Sequence, residues 1–145
     1  IYQPALAIQA TPTSFAAAVE AMKPASSPAW KGEAAKAHAD YLAWTEQPRE
    51  LPGAFQYGQV VNWLRDRLPK DAIVCNGAGN YAGWIHLHHR FHAFAAQLAP
   101  TSGSMGYGVP AAVMAKRHHP DRVVVAFAGD GCFLVNGQEF ATAVQ

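Results

Sequence analysis

The segment 122–128 is almost continuously apolar and rich in β-branched residues, and it ends abruptly at Gly129-Asp130-Gly131. A strand with apolar side chains on both faces belongs in a parallel sheet that helices cover on both sides. We therefore predict a central parallel strand here, and with it a fold of the α/β class.

A second strand candidate, residues 72–75, runs into another glycine-rich turn at Gly77 and Gly79. Helical patterns alternate with the two strands, and the predicted helices cover about 57–68, 80–89, 110–118 and 138–145. This alternation predicts a doubly wound parallel sheet flanked by helices, which binds ligands at the carboxyl ends of its strands. Both glycine-rich turns therefore lie where a ligand would bind.

Composition limits the classes of partner. Half of the 145 residues are hydrophobic, which is enough for one sizeable core and little more than one domain. Eleven Lys and Arg against ten Asp and Glu give a formal net charge of +1, and like charges do not cluster. We therefore expect neither nucleic acid nor a membrane surface as a partner.

Cellular context follows from what the sequence does not contain. No stretch approaches the roughly 18 apolar residues of a membrane span, and the first residues do not form a signal peptide. The sequence does not begin with Met, so we expect an excerpt or a processed product. Cys75 and Cys132 have the spacing of neither a zinc site nor a dense disulfide framework, which favours the cytoplasm.

Asp130 is the first residue whose chemistry can be interpreted. A carboxylate between two glycines at the end of a strand can reach a hard cation while the backbone approaches a phosphate. An ordinary Asp-Gly turn without a ligand gives the same pattern. On these residues alone, both interpretations stay open.

Two motifs carry a resemblance to a known family. The stretch GDGCFLVNGQEFATA (129–143) resembles the thiamine-diphosphate motif of the acetolactate synthase family, and GSMGYGVPAA (103–112) resembles that family's loop beneath the cofactor's pyrimidine ring. The resemblance implies a thiamine-diphosphate-binding fold, truncated at the C-terminal side. It divides the chain into the tail of a central domain (1–28), a linker helix and loop (29–53) and the N-terminal portion of the cofactor-binding domain (54–145).

The resemblance assigns roles to residues of both motifs. Asp130 is implied as a Mg²⁺ ligand, with Gly131 and Cys132 packed against the diphosphate; Cys132 stands where relatives often have Ser. Gly103 and Met105 are the implied catalytic positions: the carbonyl of Gly103 would accept a hydrogen bond from the cofactor's 4′-amino group, and Met105 would hold the cofactor in its bent shape. Such contacts orient the amino group for proton transfer.

The resemblance implies further cofactor contacts, in segments that are less similar to the family. Ser104 lies between the two catalytic positions and is assigned to the cofactor loop. Asn80 and Tyr81 stand where the family has Gln-His, in a turn that touches the diphosphate and ends at Trp84. Both keep the capacity to form hydrogen bonds. The remaining Mg²⁺ ligands of the family would lie beyond Gln145.

Competing sites are weaker. A dinucleotide-binding turn would need a third glycine one position before Gly83 and an acidic residue about 20 positions on, and neither is present. The histidines at 86, 88, 89 and 92 could suggest a metal, with 88 and 92 on one helical face, but no Cys or carboxylate completes the set. We predict a solvated helix end or a subunit surface there.

The resemblance implies part of a thiamine-diphosphate- and Mg²⁺-dependent lyase or carboligase acting on 2-oxo acids. A decarboxylase of a 2-oxo acid or an acyl-CoA, and a non-catalytic domain with the same fold, are the alternatives. In this family another subunit or domain supplies the Glu that activates the pyrimidine ring, so we expect a homodimer or homotetramer. We expect this chain alone to bind weakly and to be inactive. FAD in the parent protein stays open.

Overall fold

The computed structural model describes residues 2–24 and 26–145, and internal contacts divide the chain into two compact units, residues 1–39 and 40–145. In the first unit, helix α1 (Pro12–Glu20) begins with proline in its first turn, and the Thr11 hydroxyl accepts a hydrogen bond from the Ser14 amide at 3.2 Å. This helix lies within the predicted tail segment. The assignment of 1–28 to a central domain stays a prediction, and Ile1 and Ala25 lie outside the described residues.

The remaining elements alternate as predicted, with two additions. Their order is α2 (Glu33–Glu46), α3 (Tyr57–Arg65), β1 (Ile73–Asn76), α4 (Asn80–His88), β2 (Gln97–Leu98), α5 (Gly108–His118), β3 (Val124–Phe127), α6 (Asp130–Asn136) and α7 (Glu139–Ala143). The sequence patterns did not predict β2 or α6. None of the described helices is long and apolar enough to cross a membrane.

The three strands form one parallel sheet in the order β2-β1-β3. Strand β1 is buried along its whole length, because its alternate side chains face two different sets of helices. Val74 packs with residues of α3 and α4, whereas Ile73 and Cys75 pack against Ala115 of α5. Helices therefore cover both faces of the sheet, and the predicted doubly wound α/β fold is confirmed.

The position predicted for β3 is wrong. Among the described strands β1 is central, and β3 pairs only with β1 at the edge of the sheet. Its side chains are half-buried, and Ala126 is exposed. An apolar, β-branched pattern indicates that a strand's faces are covered, but it does not count the strand's neighbours.

Candidate functional site

Two glycine turns lie side by side at the carboxyl edge of the sheet. Strand β1 leads through Gly77 and Gly79 into α4, and β3 leads through Gly129 into α6. The strands are parallel neighbours, and the amide of Gly77 donates a hydrogen bond to the carbonyl of Phe127 at 3.2 Å. The two turns predicted from sequence to bind a ligand are therefore adjacent.

The ring of Tyr81 fills the space between these turns. A Cβ on Gly77 would lie 2.7 Å from the Tyr81 hydroxyl, and one on Gly79 would lie 2.8 Å from the ring. On the other turn, a Cβ on Gly129 would lie 3.2 Å from the same ring. Both turns need glycine because an aromatic ring is packed against their backbones.

The Tyr81 hydroxyl is buried, and within the described residues it has no hydrogen-bond partner of ordinary geometry. Burial raises the pKa of Tyr81 to about 12, and the neighbouring Cys132 thiol adds to this effect. Tyr81 is therefore a neutral phenol at physiological pH. Within the described residues it is a buried donor whose hydrogen-bonding capacity is unused.

Cys132 connects the two turns. Its side chain is buried, and its thiol donates a hydrogen bond to the carbonyl of Ala78 at 2.9 Å. Burial by itself would raise the pKa of Cys132, but the nearby Tyr81 hydroxyl and the surrounding backbone lower it below the ordinary value. The role that the resemblance implies for Cys132 stays a prediction, since the bond seen here is internal to the chain.

Asp130 is the first residue of α6, and its side chain is exposed at the edge of the turns. One carboxylate oxygen accepts a hydrogen bond from the Gly131 amide at 2.8 Å. Within residues 2–24 and 26–145, no group of three or more His, Cys, Asp or Glu side chains could hold a metal ion. The assignment of Asp130 as a Mg²⁺ ligand stays a prediction.

The loop before α5 brings Met105 to the same place. Gly103 and Gly106 have φ angles of +69° and +84°, so the loop bends twice through the left-handed region. A Cβ on Gly131 would lie 2.9 Å from the terminal methyl of Met105, whose side chain is 53% exposed. Met105 therefore lies over the first turn of α6 and still presents half of its surface outward.

Not every predicted site residue makes contact with this group. Asn80 is exposed at the start of α4, and Ser104 bonds to the hydroxyl of Ser102 at 2.9 Å. No described atom lies within 4 Å of a Cβ placed on Gly103. The structure brings Tyr81, Met105, Asp130, Gly131 and Cys132 to the two turns, and it leaves the other three residues exposed around them.

Sequence reasoning missed Asn76, a buried polar residue at the end of β1. Its amide donates to the Gly77 carbonyl at 2.9 Å, and its side-chain oxygen lies 3.3 Å from a ring nitrogen of His86. These bonds support the backbone of the first turn. The available signal was a polar residue at the end of an otherwise apolar strand.

The interpretation of the histidines needs correction. His88 is not solvated: it is 2% exposed, its Nδ1 lies 3.0 Å from the Thr45 carbonyl oxygen, and it stacks on Trp84. His92 does not share a helical face with it, because α4 ends at His88. The hydrogen bond between Thr45 and His88, which are 43 positions apart in the sequence, joins the end of α2 to α4.

His89 is expected to make the stability of the folded chain depend on pH. Burial lowers the pKa of His89 from 6.5, and the nearby His92 and Arg65 lower it further. The unfolded chain therefore binds a proton more readily, and we expect stability to fall as the pH drops below about 6.5. Urea unfolding of the wild type and His89→Asn between pH 5 and 7.5 checks this. We expect a shallower pH dependence in the variant, and identical slopes would contradict the assignment.

A groove of about 600 Å³ lies elsewhere, beside α5 and β3, and its lining is mostly apolar. Val109, Val124 and Phe133 are among its lining residues. It contains none of the residues that the sequence assigned to the site. Lys116 is the cationic residue among those that line it and could bind a diphosphate. Its ammonium group already donates hydrogen bonds to the carbonyls of Pro120 and Arg122.

Comparisons with known proteins identify what this chain is similar to. Residues 77–145 match the family described as "Thiamine pyrophosphate enzyme, C-terminal TPP binding domain". The acetolactate synthase large subunit of Corynebacterium glutamicum is 40% identical over 101 residues, which cover 69% of this chain and 16% of that protein. The large subunit of Escherichia coli acetolactate synthase isozyme 2 is 36% identical over 94 residues, which cover 63% of this chain and 17% of that protein.

A solved structure gives the same result. The thiamine diphosphate-dependent 4-hydroxybenzoylformate decarboxylase of Rhodococcus jostii RHA1 is similar with a TM-score of 0.57 and 27% identity, over 64% of this chain and 18% of that one. The chain spans about a sixth of the length of these relatives. The resemblance drawn from the two motifs is confirmed: the chain belongs to the thiamine-pyrophosphate-dependent enzymes, through a cofactor-binding domain of acetolactate synthase type.

Proposed function

We propose that this chain binds the diphosphate of thiamine diphosphate, together with Mg²⁺, in a lyase or carboligase that acts on 2-oxo acids. The observation that carries the proposal is the pair of adjacent glycine turns at the carboxyl edge of the sheet, with Asp130 exposed beside them. Ligands of open α/β sheets bind at this edge. The acetolactate synthases among the relatives support the reaction class.

The residues present fit an anionic group with a hard cation. The Tyr81 hydroxyl is a buried donor without an ordinary partner, and the carboxylate of Asp130 is the type of ligand that Mg²⁺ prefers. A single protein carboxylate is compatible with Mg²⁺, because this ion usually keeps several waters and takes further oxygens from phosphates. The family's other protein ligands would complete the site from residues outside this chain.

Bound thiamine diphosphate supplies an electron sink for cleavage beside a carbonyl group. In our proposal the protein's part is to hold and orient it. Asp130 would hold the cation, Met105 would support the cofactor's rings, and the Gly103 carbonyl would accept a hydrogen bond from the amino group. The Glu that activates the pyrimidine ring comes from another subunit of a homodimer or homotetramer, so this chain by itself binds weakly and does not turn over.

A decarboxylase is the second candidate, because the similar solved structure is that of a 4-hydroxybenzoylformate decarboxylase. Product analysis of the full-length protein with pyruvate separates the two reactions. A carboligase joins two pyruvate-derived units and releases one CO₂, whereas a simple decarboxylase releases acetaldehyde and CO₂. A domain without catalytic function would give neither product and would not bind the cofactor.

Metal dependence tests the binding proposal itself. We expect thiamine diphosphate to bind the full-length protein about tenfold more weakly, or worse, after EDTA treatment than in millimolar Mg²⁺, because the cation links the carboxylate to the diphosphate. Isothermal calorimetry measures both affinities. Readdition of Mg²⁺ should restore binding, and equal affinity with and without the metal would rule out the proposed bridge.

A further inference from the structure

Asn136, the last residue of α6, reaches back to the glycine-rich loop before α5. Its Nδ2 donates a hydrogen bond to the Gly106 carbonyl at 2.9 Å, and its side chain is half-buried. Gln138 lies beside the other end of the amide, with its Nε2 3.5 Å from the Asn136 oxygen. This neighbour favours the amide orientation in which nitrogen faces Gly106.

The backbone that Asn136 holds has little freedom. Gly106 is buried with a φ of +84°, and a Cβ there would lie 2.5 Å from a methyl of Val135 and 2.9 Å from the Asn136 amide. The loop is thus pressed against the last turn of α6. The hydrogen bond fixes its position at the residue where the backbone bends through the left-handed region.

Met105 precedes this fixed point by one residue. Its terminal methyl lies over Gly131 in the first turn of α6, so the loop contacts α6 at both ends, through Met105 and through Gly106. A methionine side chain has three rotatable bonds and does not define its own position. The backbone on which it is mounted must therefore be held by other residues.

We propose that Asn136 is a positioning residue: it fixes Gly106 and thereby sets the distance between the Met105 side chain and Gly131. This inference rests on the proposed function, since Met105 affects chemistry only where it supports a bound cofactor. Asn136 is not among the residues assigned to the cofactor or the metal, and its amide bonds to the Gly106 carbonyl. Its effect is on geometry. Loss of the amide changes the position of the Met105 side chain relative to Gly131, and with it the orientation of the reacting groups.

The first test uses the full-length protein without cofactor. With ¹³C-methyl methionine labelling, the Met105 signal, assigned through Met105→Leu, should shift in Asn136→Ala and in the isosteric Asn136→Asp. Asn62→Ala is the matched control, because it removes another bond from an Asn amide to a carbonyl, that to Glu46 at 3.1 Å. An unchanged Met105 signal in both Asn136 variants would overturn the positioning role, whether or not the protein binds thiamine diphosphate.

The second test uses the holoenzyme. In D₂O, exchange of the C2 proton of bound thiamine diphosphate, followed by acid quench and NMR, should slow by about 10- to 100-fold in both Asn136 variants. Cofactor affinity should stay within about threefold, and Asn62→Ala should leave exchange near the wild-type rate. Exchange that slows no more than in Asn62→Ala, or only in proportion to lost affinity, would refute the inference. Wild-type protein that binds no cofactor would refute the proposed function instead, and the Met105 signal would still decide the positioning role.

Discussion

Asp130→Ala is expected to weaken Mg²⁺-dependent binding of thiamine diphosphate to the full-length protein by about 100-fold or more. Loss of residues that only support a metal ligand costs about 10- to 100-fold in metal affinity, and the loss of a direct ligand should cost at least as much. Asp130 is exposed beside the two glycine turns, and within residues 2–24 and 26–145 it belongs to no group of three or more side chains that could hold a metal ion. Calorimetric titration at fixed Mg²⁺ gives the affinity directly.

Two further variants make this result specific. Asp130→Asn keeps the shape of the side chain but removes its charge, and we expect it to bind nearly as poorly as the alanine variant. Asp121→Ala removes an exposed carboxylate from the turn after α5 and should bind like the wild type. Thermal melts check that the variants are folded, because Asp130 also stabilises the start of α6 by about 0.3–1 kcal/mol. Undiminished binding in Asp130→Ala would remove the metal assignment.

The fold was predictable because its signals are local. Each strand next to a turn is a short apolar run that ends in glycines, and the helices predicted from sequence show their patterns within a dozen residues. Strand β2 was not predictable, since two residues carry no period and their strand conformation depends on pairing with β1. The edge position of β3 was missed for the same reason: the number of neighbours is a property of the whole sheet.

The candidate site was predictable in part. The glycines around Asp130 and the loop at Met105 could be identified from their resemblance to two motifs of a known family. The filling of the space between two turns by Tyr81 could not, because it joins residues about 50 positions apart that meet only after β1 and β3 have paired. The bond from Asn136 to Gly106 is equally non-local, since it crosses 30 residues. Supporting contacts of this kind are decided by tertiary packing.

Gly108 shows how tightly this packing is made. It is the buried first residue of α5, and a Cβ there would lie 2.7 Å from the Gly77 nitrogen and 2.9 Å from the Asn76 carbonyl carbon. Both atoms belong to the backbone, so neither can rotate away as the end of a side chain could. A larger residue must push α5 away from the end of β1 or displace the first glycine turn.

Gly108→Ala is therefore expected to destabilise the protein by about 1–3 kcal/mol, the usual range for an overpacked core, and to weaken cofactor binding because Gly77 moves. Gly83→Ala is the matched control, since Gly83 lies inside α4 with no atom within 4 Å of the added methyl. There the same substitution should stabilise by about 0.5–1 kcal/mol, because alanine favours a helix over glycine. Urea unfolding measures both changes. If the two variants shift stability in the same direction, the close approach of α5 to the first turn is not what requires glycine at 108.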